Sequence, residues 1–302
     1  MADDPMTDPL DVWFDWGQFI ADIPPIVRMM DNVIDRTIYP LKAQEIEAKN
    51  KRRMGLGITG TANAAEFLGL PYGSPEMLEW LEDVLTTLRD EVYRASAQLA
   101  LEKGPFPLFK TEEYLNGEFI QTLPEDVRRD IANYGIRNSH LLSIAPTGTI
   151  SLWAGNISSG IEPVFSHEYD RVVIMPGVEG VRQTYHVMDY AYSEWGLKGR
   201  TSDEISAKEH IDVLNLASRL VDSACSKTCN VGDNVTFDEF KDLYMMAYEG
   251  GASGCTTFRP AGLREGVLKK AEDRKEVKPV EYVSGPTCEI DPTTGERSCS
   301  DM

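Results

Sequence analysis

The stretch SIAPTGTISLWAGNISSGIEP, residues 143–163, joins an apolar entry to a Pro-Thr-Gly-Thr turn and a run of small polar residues. The run HLLSIAP, which leads into the turn, predicts a short buried strand. If the turn opens a helix, its backbone N–H groups converge and the helix dipole favours negative charge there. No Gly-Lys pair follows, which excludes a P-loop. The residues alone leave two interpretations open, a polar loop and a cradle for an anion.

Helix-like and strand-like segments alternate around this stretch. The clearest helix is predicted from residue 75 onward, with Gly104 where a helix-ending glycine belongs. Its apolar face comprises Leu78, Leu81, Val84, Leu85 and Leu88. A later helix begins with a capping-box pattern at Thr236 and Glu239, and the GCTTF run after it predicts a strand. Such alternation indicates an α/β domain with a largely parallel sheet.

Composition narrows the class of protein. The 302 residues carry a formal net charge of -19, which argues against direct nucleic-acid binding by a basic surface. No apolar run approaches the roughly 20 residues needed to cross a bilayer, so no membrane partner is expected. The acidic start MADDPMTDPLDVW lacks the regions of a signal peptide, and we expect a cytoplasmic protein. Five cysteines, an odd count, argue against a secreted disulfide scaffold.

The motif GLGITG matches the glycine fingerprint of dinucleotide-binding folds through Gly55, Gly57 and Gly60. That fingerprint needs a preceding hydrophobic strand, whereas the charged run AKNKRRM stands before this one. We therefore expect these glycines to let a strand and its following helix pack closely, and we do not expect a nicotinamide site.

Other polar residues give weaker indications. The run AKEHIDVLNLASRLVDSACS predicts a long helix that places Cys225 and Cys229 four residues apart on one face. No second ligand pair follows at finger-like spacing, and no two histidines stand at helical ligand spacing, so no metal site is expected. Glu162, in GIEP, is expected to be a turn or surface residue rather than a catalytic one.

Beyond about Leu268 the sequence changes character, with charged residues, Pro, Gly and Ser in place of apolar periodicity. It is typical of a mobile tail, and it contains Cys288 and Cys299. From the residues alone, two interpretations are equally open for this pair. One is thiol–disulfide exchange with another site; the other is a weak metal clip or chance.

Taken together, the sequence resembles the C-terminal half of a ribonucleotide reductase catalytic subunit, most closely the adenosylcobalamin-dependent (class II) type. The resemblance extends from about Trp13 to Leu268 and reappears in the tail. It is carried, in family order, by DNVIDRTIYP, RRMGLGITGTANAAEFLGL, SIAPTGTISLWAGNISSGIEPVF, VDSACSKTCNV and GASGCTTFRPAGLREGVL.

The resemblance implies an α/β fold, namely the second half of a ten-stranded reductase-type α/β barrel over residues 1–268, with a flexible redox tail over residues 269–302. It implies a ribonucleoside-diphosphate reductase that acts on ribonucleotides by thiyl-radical chemistry. The residues that it assigns to substrate phosphate binding are Thr147, Gly148, Thr149, Ile150 and Ser151. It makes Cys288 and Cys299 the shuttle that re-reduces the active-site disulfide and is itself reduced by thioredoxin or glutaredoxin.

The sequence departs from the family in one respect. None of its five cysteines lies in the Asn-x-Cys-x-Glu motif that carries the radical cysteine. Half a barrel would also leave an open sheet edge and an uncovered apolar interior. We therefore expect a separate N-terminal half to supply the radical cysteine, the alternative being a truncated fragment. Adenosylcobalamin is expected in the complete enzyme, with no residue here as its ligand.

Two other readings stay open at this point. A class I-type large-subunit fragment would need consecutive tyrosines near GCTTF, where this chain has Thr257 and Phe258. A catalytically silent interaction module derived from a reductase would fit the missing radical cysteine, but not the retained phosphate loop and tail cysteines.

Overall fold

The computed structural model describes residues 12–174, 182–232, 235–259, 268–270, 287–290 and 297–300. Its helices are α1 (Trp16–Arg36), α2 (Lys42–Lys51), α3 (Thr61–Phe67), α4 (Pro75–Lys103), α5 (Thr111–Leu115), α6 (Glu118–Gln121), α7 (Glu125–Tyr134), α8 (Gly148–Trp153), α9 (Tyr190–Trp195), α10 (Ala207–Leu220) and α11 (Phe237–Glu249). Its strands are β1 (Glu168–Ile174), β2 (Arg182–Met188), β3 (Thr228–Asn230), β4 (Thr256–Phe258), β5 (Leu268–Lys270), β6 (Thr287–Ile290) and β7 (Arg297–Ser300).

Helix α4 is the central element of the larger core. It begins after Ser74, whose side chain accepts a hydrogen bond from the Met77 N–H, and it ends before Gly104, as predicted. All the predicted apolar positions are buried except Leu78, which is partly exposed. Helices α1, α7 and α10 pack against α4. One apolar face of a single helix therefore organises most of the core.

Helix α1 is also held to the core by a buried carboxylate. Asp31 is fully buried, and its Oδ1 accepts hydrogen bonds from the Arg52 guanidinium (2.7 Å) and from Asn138 Nδ2 (3.1 Å). Arg52 follows α2, and Asn138 precedes the strand-like run at residue 141. This carboxylate therefore joins three separate parts of the chain through hydrogen bonds that satisfy its charge.

Short parallel strands lie beside these helices. Leu56 bridges to Leu142 and Ile144 bridges to Cys225, both in parallel. Farther along the same segment, β3 pairs in parallel with β4. The array therefore runs from the segment at residue 56, through the segments at 142–144 and 225–230, to β4. Helices connect each strand to the next, as parallel pairing requires.

Two antiparallel groups lie outside this array. The strand β1 pairs with β2 on one side and with β5 on the other. The strands β6 and β7 form a separate pair, in which Cys288 stands opposite Cys299. The boundary predicted at residue 268 falls at the start of β5, and the division into two domains stays a prediction.

The predicted α/β class is confirmed, since helices alternate with parallel strands. The described strands form no closed barrel, so the half-barrel of a ten-stranded fold stays a prediction. Among the described residues, no helix is both long enough and apolar enough to span a membrane.

One element prediction is wrong. Helix α10 ends at Leu220, whereas the sequence predicted a helix that continued through Cys225. The reason lies in Asp222, whose carboxylate accepts hydrogen bonds from the N–H groups of Leu141 (2.7 Å) and Leu142 (3.1 Å). Those bonds draw the chain out of the helix and beside the neighbouring strand. Cys225 and Cys229 consequently lie on an extended segment, not on one helix face.

Candidate functional site

The candidate anion loop follows the extended segment at residues 141–144, which carries the bridges of Leu142 and Ile144, and it opens α8. We call residues 147–151 the α8 turn. Thr147 is the N-cap residue and has left-handed backbone angles, φ 52° and ψ 18°, which are uncommon for a residue with a Cβ. Its conformation turns the chain sharply out of the strand and into the helix. The five predicted phosphate-binding residues therefore lie together in one turn.

The hydroxyl of Thr59 holds the α8 turn in place. It donates to the Ser158 carbonyl (3.0 Å) and accepts from the Gly160 N–H (3.1 Å). Because a hydroxyl has one hydrogen to donate, the 2.9 Å contact between the Thr59 and Thr147 hydroxyls must be donated by Thr147. The Thr147 hydroxyl is therefore used inside the protein and is not a free donor.

Ser151 also faces inward. Its side chain is buried, donates to the Gly148 carbonyl (3.1 Å) and contacts the Ser159 hydroxyl (3.0 Å). In contrast, Gly148, Thr149 and Ile150 are exposed. The predicted set thus divides into two supporting residues, Thr147 and Ser151, and three residues that face outward.

Although Thr147 is the N-cap residue, its side chain makes no hydrogen bond to the first N–H groups of α8. Helix α3 begins close by, but Ser158 caps it by accepting from the N–H groups of Ala62 (3.0 Å) and Asn63 (3.3 Å). Ser158 thus uses two of the first N–H groups of α3, whereas no N-cap side chain bonds to the first turn of α8. Backbone donors with no internal partner are what an anion such as phosphate can bind.

Close approach between segments fixes the position of this turn. A Cβ on Gly160 would lie 2.8 Å from the Ala145 carbonyl oxygen, and its φ is 55°. A Cβ on Gly57, within GLGITG, would lie 2.2 Å from the Ser143 carbonyl oxygen. Gly57 therefore allows close approach to the neighbouring extended segment at residue 143, whereas the sequence predicted close packing between a strand and its following helix.

A buried ion pair includes Glu162, two residues after Gly160. The Lys227 ammonium is fully buried and donates to the Glu162 carboxylate (2.8 Å) and to His210 Nδ1 (3.0 Å). Burial and the Lys227 charge lower the pKa of His210 to about 3, so the ring is neutral. Glu162 also accepts from the Thr228 N–H (2.6 Å). Glu162 lies in a turn as expected, but its carboxylate is a structural ligand to Lys227 and not a surface charge.

Two cysteine sulfurs also meet near this pair. Cys229 Sγ, on β3, lies 3.9 Å from Cys255 Sγ, which precedes β4. Sequence reasoning missed this contact because it placed Cys229 on a helix. The GCTTF strand and the strand-like alternation of KTCNV were the available signal. Among the described residues, no group of three or more His, Cys, Asp or Glu side chains is arranged to hold a metal ion.

Comparison with known proteins identifies the family of this chain. The profile of the family described as ribonucleotide reductase, barrel domain, matches residues 5–258. The chain belongs to this family. Among curated proteins, a vitamin B12-dependent ribonucleoside-diphosphate reductase of Mycobacterium tuberculosis is 29% identical over 85% of this chain and 38% of its own length. A protein of the same description from Thermoplasma acidophilum is 28% identical over 88% of this chain and 37% of its own length.

Relatives with other descriptions match as well. The large subunit of ribonucleoside-diphosphate reductase from Vaccinia virus is 30% identical over 55% of this chain and 23% of its own length. The chain thus spans little more than a third of the length of the first curated relatives it matches.

Proposed function

We propose that this chain provides the substrate phosphate site of a ribonucleoside-diphosphate reductase of the adenosylcobalamin-dependent type. The observation that carries the proposal is the α8 turn, with its uncapped backbone N–H groups at the exposed end of a buried strand. The reductases named as vitamin B12-dependent support the activity and the cofactor, because their similarity covers the whole of this turn.

The α8 turn would bind phosphate mainly through its main chain. The N–H groups of Gly148, Thr149 and Ile150 are the donors, and the Thr149 hydroxyl is the exposed side-chain donor. Thr147 and Ser151 act indirectly, since their hydroxyls fix the shape of the turn. The turn contains no basic side chain, so recognition would depend on donor geometry and the helix dipole.

The tail cysteines would serve as the reducing shuttle of the same enzyme. Cys288 and Cys299 stand opposite each other in the antiparallel pair of β6 and β7. Opposed residues in such a pair have Cα atoms about 4.5–5.5 Å apart, a separation that a disulfide can span. This register supports the proposal that the two form a disulfide, which thioredoxin or glutaredoxin would then reduce.

Other parts of the enzyme would come from sequence outside these 302 residues. The radical cysteine is one of them, and we propose that an N-terminal half carries it, since no cysteine here has the required context. The groove of about 520 Å³ along α1 is lined by that helix and the residue after it, and no described residue is assigned to adenosylcobalamin. We therefore assign no step to the cofactor.

The phosphate site can be tested by changing charge at one exposed position. Thr149→Asp places a carboxylate in the first turn of α8, where it favours the helix but repels a diphosphate. We expect the affinity of the full chain, combined with an N-terminal half, for cytidine diphosphate to fall about tenfold or more. Isothermal titration calorimetry measures the change.

Thr149→Asn is the matched control, since asparagine has the shape of aspartate without its charge. We expect its affinity to stay within about threefold of the unsubstituted protein. Equal affinities for the Asp and Asn variants would show that diphosphate binds elsewhere, and the proposed phosphate site would then be wrong.

A further inference from the structure

The Cys229 and Cys255 sulfurs form a close pair that is separate from the α8 turn and from the tail. Their Sγ atoms are 3.9 Å apart, across the parallel pair of β3 and β4. Cys229 is completely buried in the smaller apolar cluster between α10 and α11, whereas Cys255 is partly exposed. One cysteine of the pair is thus partly open to solvent, and the other lies in the core beside it.

We propose that Cys229 and Cys255 form a reversible disulfide and that the pair reacts with small peroxides. The proposal does not rest on the proposed reductase function, because it needs neither substrate nor a partner half.

The two sulfurs need to move only a short distance to form a disulfide. A disulfide bond is about 2.05 Å long, so the two sulfurs must approach by about 2 Å. Cys255 follows the exposed Gly254, and within the described strands β4 pairs with β3 alone. An edge strand that leaves a loop can shift over this distance with less disturbance than a strand paired on both sides.

The surroundings give the two sulfurs different roles. The pKa of Cys255 is held below its ordinary value because the Cys229 thiol hydrogen-bonds to its sulfur, and the Lys227 ammonium acts in the same direction. The charged and titratable groups around the pair are Lys227 itself and, against Lys227, Glu162, His210 and Tyr72. Cys255 is therefore the attacking thiolate, and the buried Cys229 reacts second.

The reaction balances with hydrogen peroxide as the oxidant. The Cys255 thiolate attacks one peroxide oxygen, an S–O bond forms, the O–O bond breaks, and the departing hydroxide takes a proton to become water. Cys229 then attacks the Cys255 sulfur, an S–S bond forms, the S–O bond breaks, and a second water leaves with the Cys229 proton. Two thiols and one peroxide give one disulfide and two waters.

Peptide mapping of the full chain tests the proposal without any substitution. Trypsin separates Cys225, Cys229 and Cys255 into the peptides 220–227, 228–241 and 242–264. After one equivalent of hydrogen peroxide and blocking of the remaining thiols, we expect the last two peptides to be joined with the loss of two hydrogens. Dithiothreitol should separate them again.

Cys225 is the internal control, since burial raises the pKa of its thiol to about 11. It should stay unmodified under the same treatment. The proposal is overturned if peptide 220–227 is joined as often as peptide 228–241, or if both Cys229 and Cys255 are recovered as blocked thiols.

Two variants test the order of the steps. In Cys229→Ala, we expect Cys255 to stop at the sulfenic acid, which dimedone traps, and its alkylation rate at pH 7 to fall about tenfold. In Cys255→Ala, Cys229 should stay reduced. Trapping of a sulfenic acid on Cys229 instead would reverse the assigned roles and reject the mechanism.

Discussion

Lys227 shows how much one buried residue contributes to the structure beside the α8 turn. Its ammonium has no exposure and is stabilised by Glu162 and His210. Lys227→Met leaves the Glu162 carboxylate without its partner ion, and we expect the free energy of unfolding to fall by about 2–4 kcal/mol. Urea denaturation at pH 7 measures this.

The double variant Lys227→Met, Glu162→Gln separates loss of packing from loss of charge pairing. Since it removes both charges, we expect it to recover part of the lost stability. A double variant that is as unstable as the sum of the two single variants would show that the ion pair contributes nothing specific.

Glu66, in α3, gives the fold a dependence on pH. Burial raises the pKa of this carboxyl to about 7 from an ordinary value of 4.5. The native state therefore holds the proton more tightly than the unfolded state, and the stabilisation is complete below pH 4.5 and lost as the pH rises to 7. We expect Glu66→Gln to be more stable than the unsubstituted protein at pH 8, by about 1–3 kcal/mol.

Thermal unfolding between pH 4.5 and 8 measures the difference in stability between Glu66→Gln and the unsubstituted protein. Glu79→Gln, at an exposed position on α4, is the control and should leave the pH profile unchanged. Parallel profiles for Glu66→Gln and the unsubstituted protein would contradict the assignment.

For single residues, the sequence predicted where the polar turn lies better than it predicted which partners its hydroxyls bind. The PTGTIS run predicted a turn at the start of α8, because glycine and hydroxyl residues behind an apolar run have a local meaning. The inward use of the Thr147 and Ser151 hydroxyls depends on Thr59 and Ser159. No local pattern reports such partners, because packing alone brings them together.

Among elements, the start of α3 differs from other helix starts because its cap comes from a distant residue. Ser158 caps α3 across 96 positions of sequence, whereas Ser206 caps α10 locally through a capping box with Glu209. We expect Ser158→Ala and Ser206→Ala each to lower the free energy of unfolding by about 1 kcal/mol. Only the first should move the amide NMR signals of the α8 turn, because the Ser158 backbone also contacts Thr59.

Equal spectral changes in both variants would show that the cap and the turn are not coupled. Chemical denaturation supplies the stabilities, and an amide correlation spectrum of each variant supplies the comparison.

The end of a helix can be predicted from sequence when the interactions that end it are local in sequence. Helices α4 and α11 were predicted well because caps and apolar spacing lie within their own sequence. The end of α10 was not, since Asp222 leaves the helix to bind N–H groups 81 and 80 positions away. Long-range hydrogen bonds override local propensity, and a single sequence does not display them.

For the whole molecule, the tail is the part whose contribution is most readily isolated. In a complex with an N-terminal half, replacement of Cys288 and Cys299 by serine removes the proposed shuttle. We expect turnover driven by thioredoxin to fall at least about a hundredfold, because the active-site disulfide then has no carrier. Deoxyribonucleotide formation from a ribonucleoside diphosphate is the measurement.

Dithiothreitol distinguishes a shuttle from a structural role, since a small dithiol can reach the active site directly. Turnover with dithiothreitol should therefore survive in the same variant. Unchanged turnover with thioredoxin would remove the shuttle assignment, and loss of both activities would assign the tail a structural role instead.

At this largest scale, the family and the α/β class were predictable from the ordered series of motifs, and the profile match over residues 5–258 confirms the family. Strand pairing was less predictable. The parallel bridges of Leu56 with Leu142 and of Ile144 with Cys225 join residues far apart in sequence. Which strands become neighbours depends on packing between distant parts of the chain, and local sequence patterns do not encode it.

The proposed binding of phosphate by the main chain of the α8 turn implies that its positions differ in how well they tolerate substitution. A site built from peptide N–H groups keeps its chemistry when its outward side chains change, so positions 149 and 150 should tolerate most neutral replacements. The inward positions, Thr59 and Ser151, carry the shape and should tolerate few. Neutral substitutions would therefore change the sequence motif of the loop long before they abolished the proposed phosphate binding.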